Sequence, residues 1–167
     1  MDWIYINNKD NTARFVLGEF SDKSAATLIC FGINPSTAEP NALDRTLEKV
    51  KRLAGHNGYV NWIMLNIYPQ RATNPANLHG MLDEDLCKQN LDAIRSIFHD
   101  FPNSNILFAF GNLILKRPYL QSCFEQIKTI VNNDFVGKTY CIKLTKCGFP
   151  VHPLYQKNDS IFTEYHL

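Results

Sequence analysis

Short apolar runs alternate along the chain with longer segments of helical period. Four runs of strand length are nearly free of charged residues: 27–33, 59–67, 105–110 and 139–144. Runs of this kind are typical of strands that are buried on both faces, as in a parallel sheet. A fifth run, 14–20, precedes the series, and we expect it to form an antiparallel strand at the edge of the sheet.

Apolar residues at helical spacing predict three helices between these strands. The first covers 43–53, with Asn41 expected as its cap and Asp44 in its first turn. A second apolar stripe covers 86–101 behind an acidic start, and a third helix is expected over 120–131. The alternation predicts a three-layer α/β/α fold with a central, mainly parallel sheet. The residues expected in the core of this sheet are 29–33, 63–65, 107–109 and 141–144.

The composition fits one ordinary globular α/β domain over residues 1–167. Apolar residues make up 45% and charged residues 20%, which excludes disorder, collagen and coiled coil. The net charge is only +1, so no overall field draws the protein to nucleic acid or to an anionic membrane. There is no apolar run of transmembrane length and no signal-peptide pattern. We expect a cytoplasmic protein without a membrane partner, and the oligomeric state has no sequence signature.

The cysteines and histidines carry no metal-binding pattern. The five cysteines are widely spaced and mostly lie among apolar residues, which favours reduced, buried thiols over a disulfide framework. We expect Cys30 and Cys141 in particular to be free. The five histidines lack metal-ligand spacing. The sequence therefore predicts no metal site, no iron-sulfur cluster and no other cofactor.

Polar residues gather directly after the apolar runs. Ligands of open parallel sheets bind beyond the carboxyl ends of the strands, so these residues can face one crevice. The candidates are Asn34, Ser36, Thr37, Asn66, Tyr68, Arg71, Lys146, His152 and Tyr155. Each also has a structural explanation. Asn34 precedes a proline and suits a turn, His152 suits packing, and Asn66 and Arg71 can hold the long loop over 68–82.

Three segments at these strand ends resemble the uracil-DNA glycosylase superfamily. Residues 31–35 (Phe-Gly-Ile-Asn-Pro) resemble the first motif of the mismatch-specific thymine/uracil glycosylases. Residues 152–154 (His-Pro-Leu) resemble the second motif of the superfamily, and 105–111 is similar to its strand that ends in glycine. The order of the three segments also matches. The resemblance implies the uracil-DNA glycosylase-like fold.

A closer likeness, over 29–155, is to a family of small bacterial proteins of unknown function. Its Asn-Pro-Ser-Thr-Ala segment stands at 34–38, and its Asn-Ile-Tyr segment followed by Arg-Ala-Thr stands within 66–75. Its Gly-x-Pro-x-His-Pro-Leu-Tyr end stands at 148–155. An aromatic position that this family usually fills with tryptophan is Phe110 here. The family implies no particular reaction, so a candidate chemistry comes from the larger superfamily.

The superfamily resemblance implies a target base that is stacked on an aromatic ring while its bond to the sugar breaks. Carried over by motif, Asn34 orients the attacking water and His152 donates to a carbonyl oxygen of the departing base. An amide cannot accept the proton of that water, so the role of Asn34 is to position it, unless a carboxylate such as Glu39 or Asp44 approaches from the following loop as the base. Asp44 is the second candidate. The stacking ring is expected from Phe31, Tyr68 or Tyr155.

These residues predict a nucleobase-directed N-glycosidic hydrolase that acts on a base in nucleic acid or in a nucleotide. Two alternatives stay open: a binder of a free nucleobase or nucleotide, and an interaction module without chemistry. Arg71 is expected at the rim, where its guanidinium can clamp a phosphate or carboxylate. Only Lys146, Lys157 and Arg71 supply positive charge near the expected crevice, and 155–157 replaces the small serine-containing loop of the superfamily. Both departures count against duplex DNA as the partner.

Overall fold

A computed structural model describes all residues from 1 to 167. The chain forms one seven-stranded sheet with helices on both of its faces. The strands are β1 Asp2–Asn7, β2 Arg14–Phe20, β3 Thr27–Gly32, β4 Asn61–Asn66, β5 Ser104–Phe108, β6 Thr139–Cys141 and β7 Thr163–Glu164. The helices are α1 Arg45–His56, α2 Glu84–Asp100 and α3 Pro118–Asp134, with short 3₁₀ turns at Pro75–Asn77, Gly111–Leu115 and Pro153–Tyr155. None of the helices has the length and apolarity that crossing a bilayer requires.

The centre of the sheet is parallel and its two margins are antiparallel. The strand order is β1-β2-β4-β3-β5-β6-β7, with β4, β3, β5 and β6 parallel to one another. The predicted α/β fold with a parallel centre is therefore confirmed. β2 is antiparallel as expected, but it does not form the edge, because β1 pairs along its outer side.

The two faces of β3 explain why its sequence is apolar throughout. Leu28 and Cys30 pack on the side of α1, while Ile29 and Phe31 pack on the side of α2 and α3. Successive side chains of a strand point to opposite faces, so helices on both sides bury every position. This arrangement makes the fold three layers deep.

The first helix begins later than the sequence pattern suggested. Asp44 is its cap, and the carboxylate oxygen Oδ1 accepts hydrogen bonds from the backbone N–H groups of Thr46 and Leu47, both at 3.0 Å. The prediction of Asn41 as the cap is wrong, because this residue has a φ of 62°. A cap residue requires extended backbone, whereas Asn41 lies in the turn that joins Glu39 to Ala42.

The last apolar run forms a much shorter strand than predicted. β6 ends at Cys141, and Leu144 is 51% exposed, so the prediction of a core extending to residue 144 is wrong. The chain leaves the sheet because it folds back on itself, with the N–H of Thr145 bonded to the carbonyl of Phe149. The N–H of Val151 likewise donates to the carbonyl of Lys143. This reversal brings the segment after residue 150 back towards the strand ends.

Candidate functional site

A cavity of about 370 Å³, with many polar residues in its walls, lies at the carboxyl ends of the two central strands. Gly32 ends β3 and Asn66 ends β4, and the two residues are paired in the sheet. The start of α1 and the segment at His152 also contribute walls. The volume falls within the range of about 300–1,000 Å³ that small-molecule sites occupy. The polar side chains that carry the argument are Arg14, Asn34, Asp44, Asn66 and His152.

Asn66 places an amide without partners in the wall of this cavity. It is 1% exposed, and neither its Nδ2 nor its Oδ1 has a hydrogen-bond partner in the protein. Its backbone carbonyl is fixed by Nδ2 of Asn90 on α2 at 2.9 Å. β3 approaches this side chain closely, since a Cβ at Gly32 would lie 3.2 Å from Oδ1 of Asn66. A buried polar group without a partner is costly, so this amide is the least satisfied side chain in the wall of the cavity.

His152 lines the cavity, and the tautomer of its ring is defined by a hydrogen bond. Its Nδ1 accepts a hydrogen bond from the backbone N–H of Leu154 at 3.3 Å, so the neutral ring carries its proton on Nε2. Burial lowers the pKa of His152 below its ordinary value of 6.5, and the negative charge of Asp44 partly opposes this shift. The imidazole is therefore neutral at pH 7, and its N–H donor is Nε2.

The backbone around His152 is held by a glycine at the end of the neighbouring strand. Gly111 follows β5 with a φ of 64°, and a Cβ there would lie 3.4 Å from Cβ of His152. The N–H of Gly111 donates to the carbonyl of Pro150 at 2.8 Å. This contact fixes the height of the His152 segment above the sheet, and the left-handed backbone explains why glycine is needed.

Asp44 combines the capping of α1 with a place in the cavity wall. Its Oδ1 is held by two backbone N–H groups, and the positive end of the helix dipole favours the negative charge. Oδ2 accepts no hydrogen bond from the protein. One carboxylate oxygen is thus immobilised, and the other is available to a water molecule or a ligand.

Asn34 has both a structural contact and a free acceptor. Its Nδ2 donates to the carbonyls of Ala72 at 2.8 Å and Pro35 at 3.0 Å, which ties the long loop to the end of β3. Its Oδ1 receives no hydrogen bond from the protein, and the residue lines the cavity. A role in the turn therefore explains the amide nitrogen of Asn34 but not its amide oxygen.

Arg14 is the cavity residue that sequence reasoning missed. It opens β2 and is 1% exposed, yet it lines the cavity. One nitrogen, NH1, donates to the carbonyl of Ala38 at 3.0 Å, while Nε has no partner. Burial, together with the positive charge of nearby Arg71, lowers the pKa of Arg14 to about 10, so the group is still a cation at neutral pH. The sequence feature that could have indicated Arg14 is a charged residue at the start of a largely apolar run.

Arg71 lies inside a network behind the cavity and does not line it. Its side chain donates to the hydroxyl of Tyr5 at 2.8 Å, to Oδ1 of Asn11 at 3.1 Å and to the carbonyl of Ser36. Glu39 is its ionic partner at 3.8 Å. The expected position at the rim is replaced by internal bonds that fasten the 68–82 loop to β1 and to the segment after β3.

The remaining candidates divide into two groups. Ser36 and Thr37 line the cavity, and the hydroxyl of Ser36 is bonded to that of Thr73 at 2.9 Å. The residues that do not line it are Phe31, Tyr68, Lys146 and Tyr155. No phenylalanine, tyrosine or tryptophan is among the lining residues. The imidazole of His152 is the aromatic ring among the lining residues, and the three expected stacking rings, Phe31, Tyr68 and Tyr155, do not line the cavity.

Each of these absent residues has an identifiable position elsewhere. Phe31 is fully buried on the α2–α3 side, with its ring 5.4 Å from that of Phe108. Tyr68 is fully buried, and its hydroxyl is bonded to Nδ1 of His79 at 2.8 Å. Tyr155 is 86% exposed. Lys146 is also exposed, in the reversal between residues 144 and 150.

The fold is α/β, with a cavity lined by many polar residues at the ends of its central strands. The profile of the family described as "protein of unknown function (DUF1643)" matches residues 14–154, and the chain belongs to this family. No similarity to a curated protein or to a solved structure was found. The relation to the uracil-DNA glycosylase superfamily stays a prediction.

The cysteines form no disulfide, and the possible metal ligands are dispersed. No group of three or more His, Cys, Asp or Glu side chains comes together in the chain, and all five cysteines are free thiols. The cavity offers amide, imidazole, carboxylate and guanidinium groups. These groups can hydrogen-bond a ligand, transfer a proton and stabilise charge.

Proposed function

We propose that this protein hydrolyses an N-glycosidic bond of a nucleobase-containing ligand that is bound in the strand-end cavity. The observation that carries the proposal is Asn66, whose buried amide has a donor and an acceptor without partners. The edges of nucleobases present carbonyl acceptors and N–H donors side by side. One amide can satisfy both groups of such an edge, and a nucleobase would in turn satisfy both atoms of Asn66.

His152 supplies the group that stabilises the departing base. When the bond between the sugar carbon and the base nitrogen breaks, the electron pair stays on the base and negative charge develops on its carbonyl oxygen. The neutral ring of His152 donates from Nε2 to that oxygen without first losing or gaining a proton. A positioned donor whose bond strengthens as charge develops accelerates a reaction by about 10²-fold or more.

Asn34 and Asp44 divide the handling of the attacking water. Oδ1 of Asn34 accepts a hydrogen bond from the water and orients it, while Oδ2 of Asp44 takes its proton. The water oxygen then bonds to the sugar carbon from which the base has departed. The products are the free sugar hydroxyl and the base, which regains a proton from solvent.

The low net charge of the protein favours a small ligand over duplex nucleic acid. The net charge is +1, and a duplex partner depends strongly on phosphate neutralisation by several basic groups. A second candidate is a binding protein for the same ligand class without hydrolysis. The lining residues favour it in one respect, because they include no phenylalanine, tyrosine or tryptophan on which a base would stack.

The test is the release of free base from a panel of nucleosides, nucleotides and oligonucleotides with uracil or mismatched thymine. We expect release from at least one member, detected by chromatography, with His152→Ala lowering turnover by about 10²-fold or more and affecting binding less. Asp44→Asn preserves the helix cap, since asparagine caps well, and removes the proton acceptor.

The two candidate functions give different results in this panel. Saturable binding that Asn66→Leu abolishes, without release of base, would favour the binding protein and contradict hydrolysis. Neither binding nor release from any member would contradict both functions.

A further inference from the structure

The cavity contains a buried cation that the proposed hydrolysis does not use. Arg14 lines the cavity at 1% exposure and takes part in none of the ion pairs of the protein. Buried charges in proteins are normally paired, because removing them from water is costly. We propose that Arg14 binds an oxyanion of the ligand, a phosphate or a carboxylate, inside this cavity.

The donors of Arg14 are mostly free for such a group. A guanidinium carries five N–H donors, and only NH1 is bonded, to the carbonyl of Ala38. Nε is buried without a partner, and Nδ2 of Asn66, which lines the same cavity, is in the same condition. An oxyanion offers several acceptor lone pairs and can satisfy the donors of Arg14 together with one of the two N–H donors of Asn66, which leaves the other for the base edge.

Arg71 adds a second positive charge close to Arg14. Arg71 also donates to the carbonyl of Ala38, from NH1 and NH2 at 3.4 Å each, so two guanidinium groups share one acceptor. Glu39 pairs with Arg71 at 3.8 Å, but no carboxylate pairs with Arg14. An anion bound to Arg14 would relieve this repulsion as well as the missing hydrogen bonds.

Asp44 is the carboxylate that could pair with Arg14 in place of a ligand. It is the acidic group that acts most strongly on Arg14, yet the two form no ion pair. Its Oδ1 is committed to the N–H groups of Thr46 and Leu47. Those N–H groups are therefore occupied, and the oxyanion site is the guanidinium itself and not the start of α1.

This inference goes beyond the proposed function, because it assigns a negative charge to the ligand whether or not a bond is cleaved. Combined with a nucleobase edge on Asn66, it describes a nucleotide or another anionic nucleobase derivative. Anion binding is measured without turnover. A protein that binds phosphate but releases no base would overturn hydrolysis and leave the oxyanion site intact.

The test is calorimetric titration of the protein with inorganic phosphate and, separately, with acetate at neutral pH. We expect saturable binding of at least one anion, and binding at least 10-fold weaker to Arg14→Met. The matched control is Arg52→Met, which removes an equal charge from the exposed side of α1, and it should bind as the wild type does. Tighter phosphate binding would identify a phosphate ester as the source of the oxyanion, and tighter acetate binding would identify a carboxylate.

A second measurement on the unaltered protein avoids any dependence on the folding of the variant. The Nε–H signal of Arg14 in ¹⁵N NMR should shift along the same binding isotherm as the calorimetric titration. The proposal is overturned if neither anion binds saturably, if Arg14→Met binds as tightly as the wild type, or if the Nε signal does not move during titration.

Discussion

Replacing Asn66 by leucine should stabilise the protein while it abolishes ligand binding. The side chain is 1% exposed, and both of its polar atoms lack partners. Leucine has nearly the same branched shape, so it fills the space without introducing a polar group. A buried polar atom without a partner costs about 1–3 kcal/mol, and removing two should raise the free energy of unfolding by an amount on this order.

The assay is urea and thermal unfolding of wild type and variant without ligand. For a chain of this size, each kcal/mol corresponds to roughly 2–4 °C in Tm. Asn61→Leu is a matched control at the other end of the same strand. Asn61 is also fully buried, but its amide donates to Thr27 and Asp22 and accepts from Ser21, at 2.9, 2.7 and 2.9 Å.

The two asparagines should respond with opposite signs. Asn61→Leu leaves three bonded groups without their partner and should lower the free energy of unfolding by roughly 2 kcal/mol or more. If Asn66→Leu lowers stability to a similar extent, the amide of Asn66 is a structural group and the reasoning about the cavity is refuted.

Three further predictions concern the surroundings of the cavity. Burial lowers the pKa of His152 below 6.5, so the unfolded chain binds a proton on this residue more readily than the folded protein does. The free energy of unfolding should therefore fall as the pH drops through about 6.5. Urea titrations between about pH 7 and pH 5 should show a smaller fall for His152→Gln than for the wild type. Gly111→Ala should lower stability by about 1–2 kcal/mol in thermal unfolding, because its φ of 64° is unfavourable for alanine. It should also weaken ligand binding more than a distant variant of equal stability does, and equal binding by the two variants would argue against a role of Gly111 in positioning His152. Arg71→Met should increase hydrogen exchange over 68–82, because it removes the bonds that fasten this loop, and unchanged exchange would mean that these bonds are dispensable.

The central fold was predictable because its strands are buried on both faces. A run such as Leu28 to Phe31 is apolar throughout only when helices cover both sides of the sheet, and the structure shows this arrangement. The outer strands were not predictable in the same way. β1 carries exposed and half-buried residues, and β7 has only two residues, both exposed, so neither has the apolar pattern of a core strand.

The candidate site was partly predictable from the rule that ligands bind at strand ends. The rule led to Asn34, Asn66 and His152, which line one cavity. It failed for Phe31, because the alternation of side chains along β3 points that ring to the opposite layer. The rule did not identify Arg14, because this residue lies at the beginning of its strand. The antiparallel direction of β2 brings that end to the cavity.

The most direct test of the account is ¹⁵N NMR of the side-chain amide of Asn66 during titration with nucleobases, nucleosides and nucleotides. The account predicts that at least one ligand shifts the Nδ2 signals of Asn66 saturably, while those of Asn61, which are bonded within the protein, stay in place. Signals of Asn66 that remain fixed with every ligand of the panel, or while a ligand saturates another part of the protein, would contradict it.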